Sequence, residues 1–442
     1  MYARLYRGLR LFTPSGWKTR RHLHEFEQMQ WWSRADLEAW QLSRIQQVVR
    51  HAYEHVPYYK QRFLKEAIHP EDLNTIEDLR ALPFLTREDV NAHLHDLVAT
   101  KFDGKLHSNE TGGSTGQPIR FFTEGSFWRN ALHLRGHLWY GLQEGEKTAW
   151  LWGALRDMPK WSWQRGWRAA ISGKRYLNAF SMTEATMQNF AQMLVRWQPA
   201  IFRAYPSALH LFAGFLRERG IKGIRPRLIE TTAEKMTGPQ RELIKEVFQC
   251  PIADWYASRE FGTIAYQCEA GKLHVCEPRY LEIVSNGRAV GPGQMGEVVI
   301  TSLDQFAMPF IRYKIDDMGS YEGDPCPCGR GLPVLREIAG RMSDFLVTEE
   351  GRFVHGQCFA HLFRVKPEIA RYQVYQADRR HLEVRLICRI LVSDEWLHGV
   401  RNEIEDRFGK SIQVSLEVVD RIELTRAGKH RFIISEVKPD FL

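Results

Sequence analysis

From Phe102 onward, short apolar runs alternate with amphipathic helical stretches, and that alternation leaves few folds open to the chain. Residues 200–205 and 228–231 read as strands, whereas 207–219 and 239–248 carry helical spacing. Alternation of this kind buries strands as a sheet under helices, so the expected class is α/β. The first hundred residues differ. Leu42, Ile45, Val49 and Ala52 repeat at helical spacing, and the pattern stops before Pro57. Thr86 precedes Asp89 by three positions, the arrangement that caps a helix start. After Gly340 the texture changes again, with strands expected at 372–377, 382–388 and 412–419 around a helix at 395–408. At 442 residues the chain is long enough for two or three domains. The division expected is a large unit over 1–340, with 1–100 a mostly helical lead-in, a connector at 341–345 and a small α+β unit over 346–442.

Charge and cysteine usage narrow the function classes. The formal net charge is +8, but the basic residues are scattered among acids and form no nucleic-acid-type patch. An anionic small substrate accounts for the sign equally well. No apolar run approaches the length of a transmembrane helix. The basic N-terminus could set Leu5, Leu9 and Phe12 on one helix face beside Arg4, Arg7 and Arg10, a pattern that permits membrane-surface contact. A terminal helix docked on its own protein is the simpler reading. Seven unevenly spaced cysteines do not make a disulfide framework, and a reducing cytoplasm fits better.

The strongest local signal is the turn Glu110–Pro118. Gly112, Gly113 and Gly116 with Thr111, Ser114 and Thr115 free backbone N–H groups to converge on phosphate oxygens, and the hydroxyls add donors. No Gly-Lys-Ser/Thr follows, so this is not a Walker loop. A second cluster carries metal chemistry. Cys268, His274, Cys326 and Cys328 would give a tetrahedral Cys3His zinc site, with Cys276 an alternative to His274.

The glycine turn and the segments downstream of it resemble the phenylacetate–CoA ligase branch of the adenylate-forming superfamily, including its capsule-biosynthesis relatives. Residues 111–118 match the family's phosphate loop, with Gly112 and Gln117 as departures. Tyr205-Pro206-Ser207 resembles the segment entering a substrate-side helix, and Thr232-Ala233-Glu234 the turn near the adenine. In 254–262, Tyr256 and Glu260 match an adenine-stacking tyrosine and a magnesium-binding glutamate. Residues 308–317 match the segment whose aspartate binds the ribose hydroxyls, placing that role on Asp317 with Asp316 as its competitor. Gly340-Arg341 resembles the pair opening the family hinge, where the arginine helps bind nucleotide. The hinge aspartate falls at Ser343, with Asp344 beside it. Near the C-terminus, Thr425 to Lys429 resembles the loop whose lysine bridges the acid's carboxylate and the α-phosphate.

The resemblance implies a large adenylate-forming domain of helix-covered sheets and a small C-terminal lid. It implies ATP-dependent activation of a small carboxylic acid to acyl-AMP, assisted by Mg2+, then thioester formation with coenzyme A. Some members carry a structural zinc comparable to the Cys3His set. Two alternatives stand beside this reading: transfer of the acyl group to a carrier-protein thiol or an amine in polysaccharide or secondary metabolism, and a zinc-stabilised nucleic-acid-binding protein. A homodimer is among the assemblies it allows. Trp150, Trp152, Trp161, Trp163 and Trp167 could line an acyl pocket or anchor a surface insertion. Together with Tyr205 and Trp255 they favour an aryl or otherwise flat apolar acid.

Overall fold

The computed structural model describes residues 13–110, 119–125, 127–152, 173–179, 182–341, 345–349, 353–355, 359, 362–363, 366–409, 411–423 and 431–437. Helices α1 (Pro14–Met29), α2 (Arg34–His55), α3 (Pro57–Lys65) and α4 (Arg87–Ala92) lead the chain in. Ser33 caps α2 by accepting from the Asp36 N–H at 3.1 Å. The stripe Ile45, Val48, Val49 and Ala52 is fully buried. Thr86 and Asp89 form the reciprocal capping box that their spacing implies, opening a six-residue helix.

An antiparallel ribbon follows, β1 (His107–Glu110) with β2 (Arg120–Thr123). The parallel strands are then β3 (Thr148–Trp152), β4 (Lys174–Asn178), β5 (Ile201–Ala204), β6 (Leu228–Thr231) and β7 (Ile252–Ser258). Helix α5 (Phe127–Trp139) lies against one side. Helices α6 (Glu184–Trp197), α7 (Pro206–Glu218) and α8 (Gly238–Phe248) pack on the other through Phe190, Leu209, Phe212, Ile244 and Phe248. Close approach of α5 depends on Gly136, where an added Cβ would fall 2.7 Å from the Tyr266 ring.

From β7 the chain turns antiparallel through β8 (Gly262–Gln267), β9 (Leu273–Val275), β10 (Arg279–Ser285), β11 (Arg288–Ala289), β12 (Gly296–Ser302), β13 (Tyr313–Tyr321) and β14 (Val334–Arg341). These strands join the parallel ones in a 12-stranded sheet ordered β11-β10-β12-β13-β14-β9-β8-β7-β6-β5-β3-β4. Strand β14 pairs with β9 only through Val334 and Leu335, then runs along β13 to Arg341. The C-terminal module holds the ribbon β15 (Phe345–Val347) with β16 (Phe353–His355). It also holds a separate sheet ordered β19-β18-β17-β20, from β17 (Ile369–Asp378), β18 (His381–Cys388), β19 (Gln413–Val418) and β20 (Ile433–Ser435). Helix α9 (Asp394–Phe408) covers it with Val400, Ile404 and Phe408. The expected α/β body with a smaller α+β module is the architecture found.

The lead-in is stitched to the body at one buried arginine. Arg312 donates to Glu282 at 2.9 and 3.0 Å and to the carbonyls of Arg80 and Leu82 at 2.7 and 2.6 Å. Its own carbonyl accepts from the Leu85 N–H at 3.1 Å. Removing one partner of such a pair leaves a charge in low dielectric. Arg312→Met is therefore expected to cost about 3–5 kcal/mol in thermal or urea unfolding. Removing the stranded carboxylate as well, in R312M/E282L, should recover part of that loss; equal instability of single and double variants would show that the pairing is not the cause.

Candidate functional site

Strands β7 and β13 lie four places apart in the sheet, which in a flat sheet would be about 19 Å. They nevertheless meet: the Tyr256 hydroxyl donates to Asp317 Oδ2 at 2.7 Å. The sheet curls because β14 leaves β9 after two pairs, letting the end of β13 swing toward β7. Asp316 takes a left-handed backbone, φ +64°, and pairs with Arg87 at 3.4 Å. Of the two competing acids, Asp317 is the one directed to Tyr256. Its register partner across β13 and β14 is Arg341.

The turn after β6 reaches the same end of the sheet. Ala233 holds φ +70° and Glu234 is exposed, while Lys235 forms an ion pair with Glu337 of β14. Glu260 sits in the tight turn joining β7 to β8, with 4% of its surface exposed. Its carbonyl accepts from Arg129 and from Gln305 Nε2, the latter at 2.6 Å. Its carboxylate makes no hydrogen bond to any described residue, although Arg129 lies within electrostatic reach. A carboxylate held on a buried residue with its oxygens left to solvent is open to a cation. Several sequence candidates lie outside the described residues: Thr111, Gly112, Gly113, Ser114, Thr115 and Gly116 of the glycine turn, Ser343 and Asp344 of the connector, Lys429, and Trp161, Trp163 and Trp167. Arg129 and Gln305, which hold the Glu260 turn, had no motif to reveal them.

Cys268, His274, Cys326 and Cys328 converge, with all four ligand atoms within 4.8 Å of one another. Cys268 Sγ lies 3.6 Å from Cys326 Sγ, and Cys328 Sγ lies 3.3 Å from His274 Nε2. The edges of a tetrahedral zinc site are about 3.8 Å for S–S and about 3.6 Å for S–N, close to both. Burial pushes the imidazole of His274 down to about 4, leaving it neutral, and its Nδ1 faces the Leu332 carbonyl at 3.4 Å. That contact aims Nε2 at the thiols. Arg330, held by Glu269 at 3.0 and 3.1 Å, brings positive charge beside them. Cys276, the alternative ligand, is excluded: it is fully buried against Arg135, 3.8 Å from Nη2.

A third cluster was not anticipated. Register pairs Tyr176 with Trp150, Trp150 with Arg203, and Arg203 with Glu230, so these side chains form one row across the parallel strands. Glu230 is fully buried and accepts from Arg203 Nε and, at 2.8 Å, from the Tyr266 hydroxyl. His133 of α5 places Nε2 at 2.8 Å from Glu230 Oε1 and 2.6 Å from Arg203 Nη2. His137, one turn on, lies 3.3 Å from the same oxygen. Burial opposes the Glu230 charge, but Arg203 and the two histidines outweigh it and hold the carboxyl well below its usual range. Burial pushes His133 down to about 3. The distances among His133, His137 and Glu230 would admit a metal, but the Arg203 guanidinium already supplies the cation. The spacing of two histidines four apart on a helix was the signal available in the sequence.

Known proteins share this fold and part of this sequence. Residues 346–436 match the family model of the CapK C-terminal domain. The protein CapK of Staphylococcus aureus is 24% identical over 423 residues, covering 91% of this chain and 90% of that protein. The phenylacetate-coenzyme A ligase of Pseudomonas putida is 25% identical over 411 residues, covering 88% and 90%. Among solved structures, 2-hydroxyisobutyryl-CoA ligase in the postadenylation state, in complex with R3-HIB-AMP, superimposes with a TM-score of 0.70 at 20% identity over 93% of this chain and 92% of that one. The chain is thus a homologue of CapK and of phenylacetate–CoA ligases, with the fold of adenylate-forming ligases.

The depressed His133 pKa sets a pH dependence. The unfolded chain protonates this histidine near pH 6.5, whereas the folded chain resists until about 3. Its stabilising contribution is complete above pH 6.5 and is lost as pH falls, by at most ~1.4 kcal/mol per pH unit. Melting curves from pH 7 to 4.5 should therefore fall less steeply for His133→Phe than for the parent protein; parallel slopes would contradict the assignment.

Proposed function

We propose that this chain activates a small carboxylic acid with ATP, forming acyl-AMP and pyrophosphate, and passes the acyl group to the thiol of coenzyme A. The observation that carries this reading is the meeting of Tyr256 and Asp317 beside the Glu234 turn and the Arg341 backbone. A tyrosine ring can stack on adenine while its hydroxyl orients the carboxylate that accepts the ribose hydroxyls. Glu234 borders the adenine. Glu260 would hold Mg2+, which supplies charge neutralisation as pyrophosphate leaves. The backbone and hydroxyls of Thr111 to Gly116 cradle the phosphates. Lys429 brings the acid's carboxylate to the α-phosphate, where two anionic groups must approach. The phenylacetate–CoA ligases among its homologues support the same chemistry.

In this reading residues 1–340 form the nucleotide- and acid-binding body, 341–345 the hinge, and 346–442 a lid that carries Lys429 in and then out. The pivot is Ser343 or Asp344. A second acceptor class stands beside coenzyme A: a carrier-protein thiol, or an amine in polysaccharide or secondary metabolism. No helix among the described residues is long and apolar enough to cross a membrane. We place the protein in the cytoplasm, where its thiols stay reduced.

The deciding measurement is ATP–pyrophosphate exchange across a library of carboxylic acids. Lys429→Ala should lower exchange by about 10²-fold or more while the protein stays folded. Asp317→Ala should raise KM for ATP about tenfold or more, through lost ribose hydrogen bonds. Absence of exchange with every acid would end this reading. Parallel assays with coenzyme A, a carrier protein and amines then identify the acceptor.

The Cys3His set would hold one zinc ion with all four positions filled by protein, so the metal would brace two loops and leave no open coordination site. Elemental analysis is expected to give one zinc per chain. Chelation, or Cys326→Ser, should lower the melting temperature without altering exchange at low temperature. A metal-free protein of undiminished stability would refute the site.

A further inference from the structure

Three consecutive carbonyls in the turn between β7 and β8 accept from side chains of other elements. Arg129 of α5 donates through Nη1 to the Arg259 carbonyl at 3.0 Å and through Nη2 to the carbonyl of Glu260. Gln305, in the loop between β12 and β13, donates to the same Glu260 carbonyl at 2.6 Å. Arg279, opening β10, donates to the Phe261 carbonyl at 2.6 Å. Within the turn, the Phe261 N–H donates to Ser258 Oγ at 3.2 Å. Gly262 follows at φ +69°, where an added Cβ would fall 2.9 Å from Arg129 Cγ, so glycine lets the arginine lie against the turn.

The donors are themselves tied down. Asp304, beside Gln305, accepts from Arg279 at 2.5 and 3.2 Å and from the Ser302 hydroxyl at 2.7 Å. Glu124, just past β2, accepts from the Phe306 N–H at 2.6 Å and so fixes the same loop to the β1–β2 ribbon. Burial pushes the Arg129 guanidinium down to about 10, which leaves it charged at neutral pH. Gln305 is 3% exposed, and its Oε1 has no hydrogen-bond partner among the described residues. A half-satisfied buried amide costs stability that an apolar side chain of similar length would not. What the amide supplies in return is its bond to the Glu260 carbonyl. The turn backbone is thus held from α5, β10 and the β12–β13 loop, while the Glu260 carboxylate makes no hydrogen bond to any described residue.

We propose that Gln305 and Arg129 are positioning residues for nucleotide-bound Mg2+, fixing the backbone of residues 259–261 so that the Glu260 carboxylate is aimed without being tied to a protein partner. The inference rests on the reading that Glu260 takes Mg2+, and deepens it. A carboxylate aimed by its own hydrogen bonds would have to give them up to bind a cation. One carried on a clamped backbone keeps both oxygens for the ligand, and the cost of ordering it is met in folding rather than in binding. Arg279 supports the same clamp, linking the Phe261 carbonyl to Asp304. Gln305 and Arg129 act through the turn and do not touch the nucleotide.

The test is calorimetric binding of α,β-methylene-ATP, once with Mg2+ and once with EDTA, which needs no carboxylic acid. The parent protein should bind the nucleotide more tightly with Mg2+. Gln305→Met, of similar length but without the donor, should weaken the Mg2+-dependent binding about tenfold while its affinity in EDTA stays within about twofold of the parent. Arg129→Lys, which keeps the charge but serves only one of the two carbonyls, should lose part of the Mg2+ gain. If Gln305→Met does not fold, the comparison is read from Arg129→Lys. Glu260→Gln should lose the gain too, and adding Gln305→Met to it should change nothing further, because residues acting through one contact are not additive. A purely structural role would instead lower both affinities together, or add independently to Glu260→Gln. Either of those outcomes overturns the inference, as does a Gln305→Met protein that keeps the full gain with its fold intact by circular dichroism. Equal binding with and without Mg2+ in the parent would overturn the assignment of Mg2+ to Glu260, and this inference with it, whereas acid activation is judged separately by pyrophosphate exchange.

Discussion

The carboxylate of Glu230 organises much of the body of this protein. An ionised group removed from water costs several kcal/mol unless charges and donors replace the lost hydration. Glu230 obtains that replacement from Arg203 on β5, His133 on α5 and Tyr266 on β8. Satisfying one buried acid therefore ties the parallel strands, the antiparallel strands and a covering helix together. Gly136 belongs to the same device, since without it α5 could not settle on the Tyr266 ring.

The antiparallel half solves a different problem: bringing residues far apart in the sheet to one point. Strand β14 changes partners after Leu335, and β13 follows it round until Asp317 meets Tyr256. Arg312 anchors the start of that strand to the lead-in through Glu282 and two carbonyls. Arg312 is thus a brace between strand and lead-in. Backbone conformation assigns the neighbouring acids their partners, with Asp316 turned to Arg87 through a left-handed φ.

Strand β7 stands between two chemistries. Tyr256 looks toward the strands that carry Asp317, and Trp255 toward His133 and the small core of Ile201, Leu228 and Ala253. Adjacent residues on a strand point to opposite faces, so one extended segment contributes to two separate packing environments. The Cys3His cluster lies apart, where the β8–β9 turn meets the loop before β14. Its closed donor set suits bracing.

How much of this was legible before folding depends on the range of the interaction involved. Alternating apolar runs, the Thr86 cap and the α2 stripe act within a few residues, and each appears where the chain's local chemistry puts it. The convergence of Cys268, His274, Cys326 and Cys328 was also readable, because soft thiols and an imidazole advertise themselves by type. The choice of His274 over Cys276 was not, since both lie in one short segment and only packing against Arg135 removes the cysteine. The Glu230 network lay hidden for the same reason. Its members come from α5, β5, β6 and β8 as ordinary residues, and strand register with helix docking makes them one group. Local chemistry thus determined the elements and the motif-borne candidates, whereas partner selection among buried charges awaited the tertiary structure, because burial itself is a property of the folded whole.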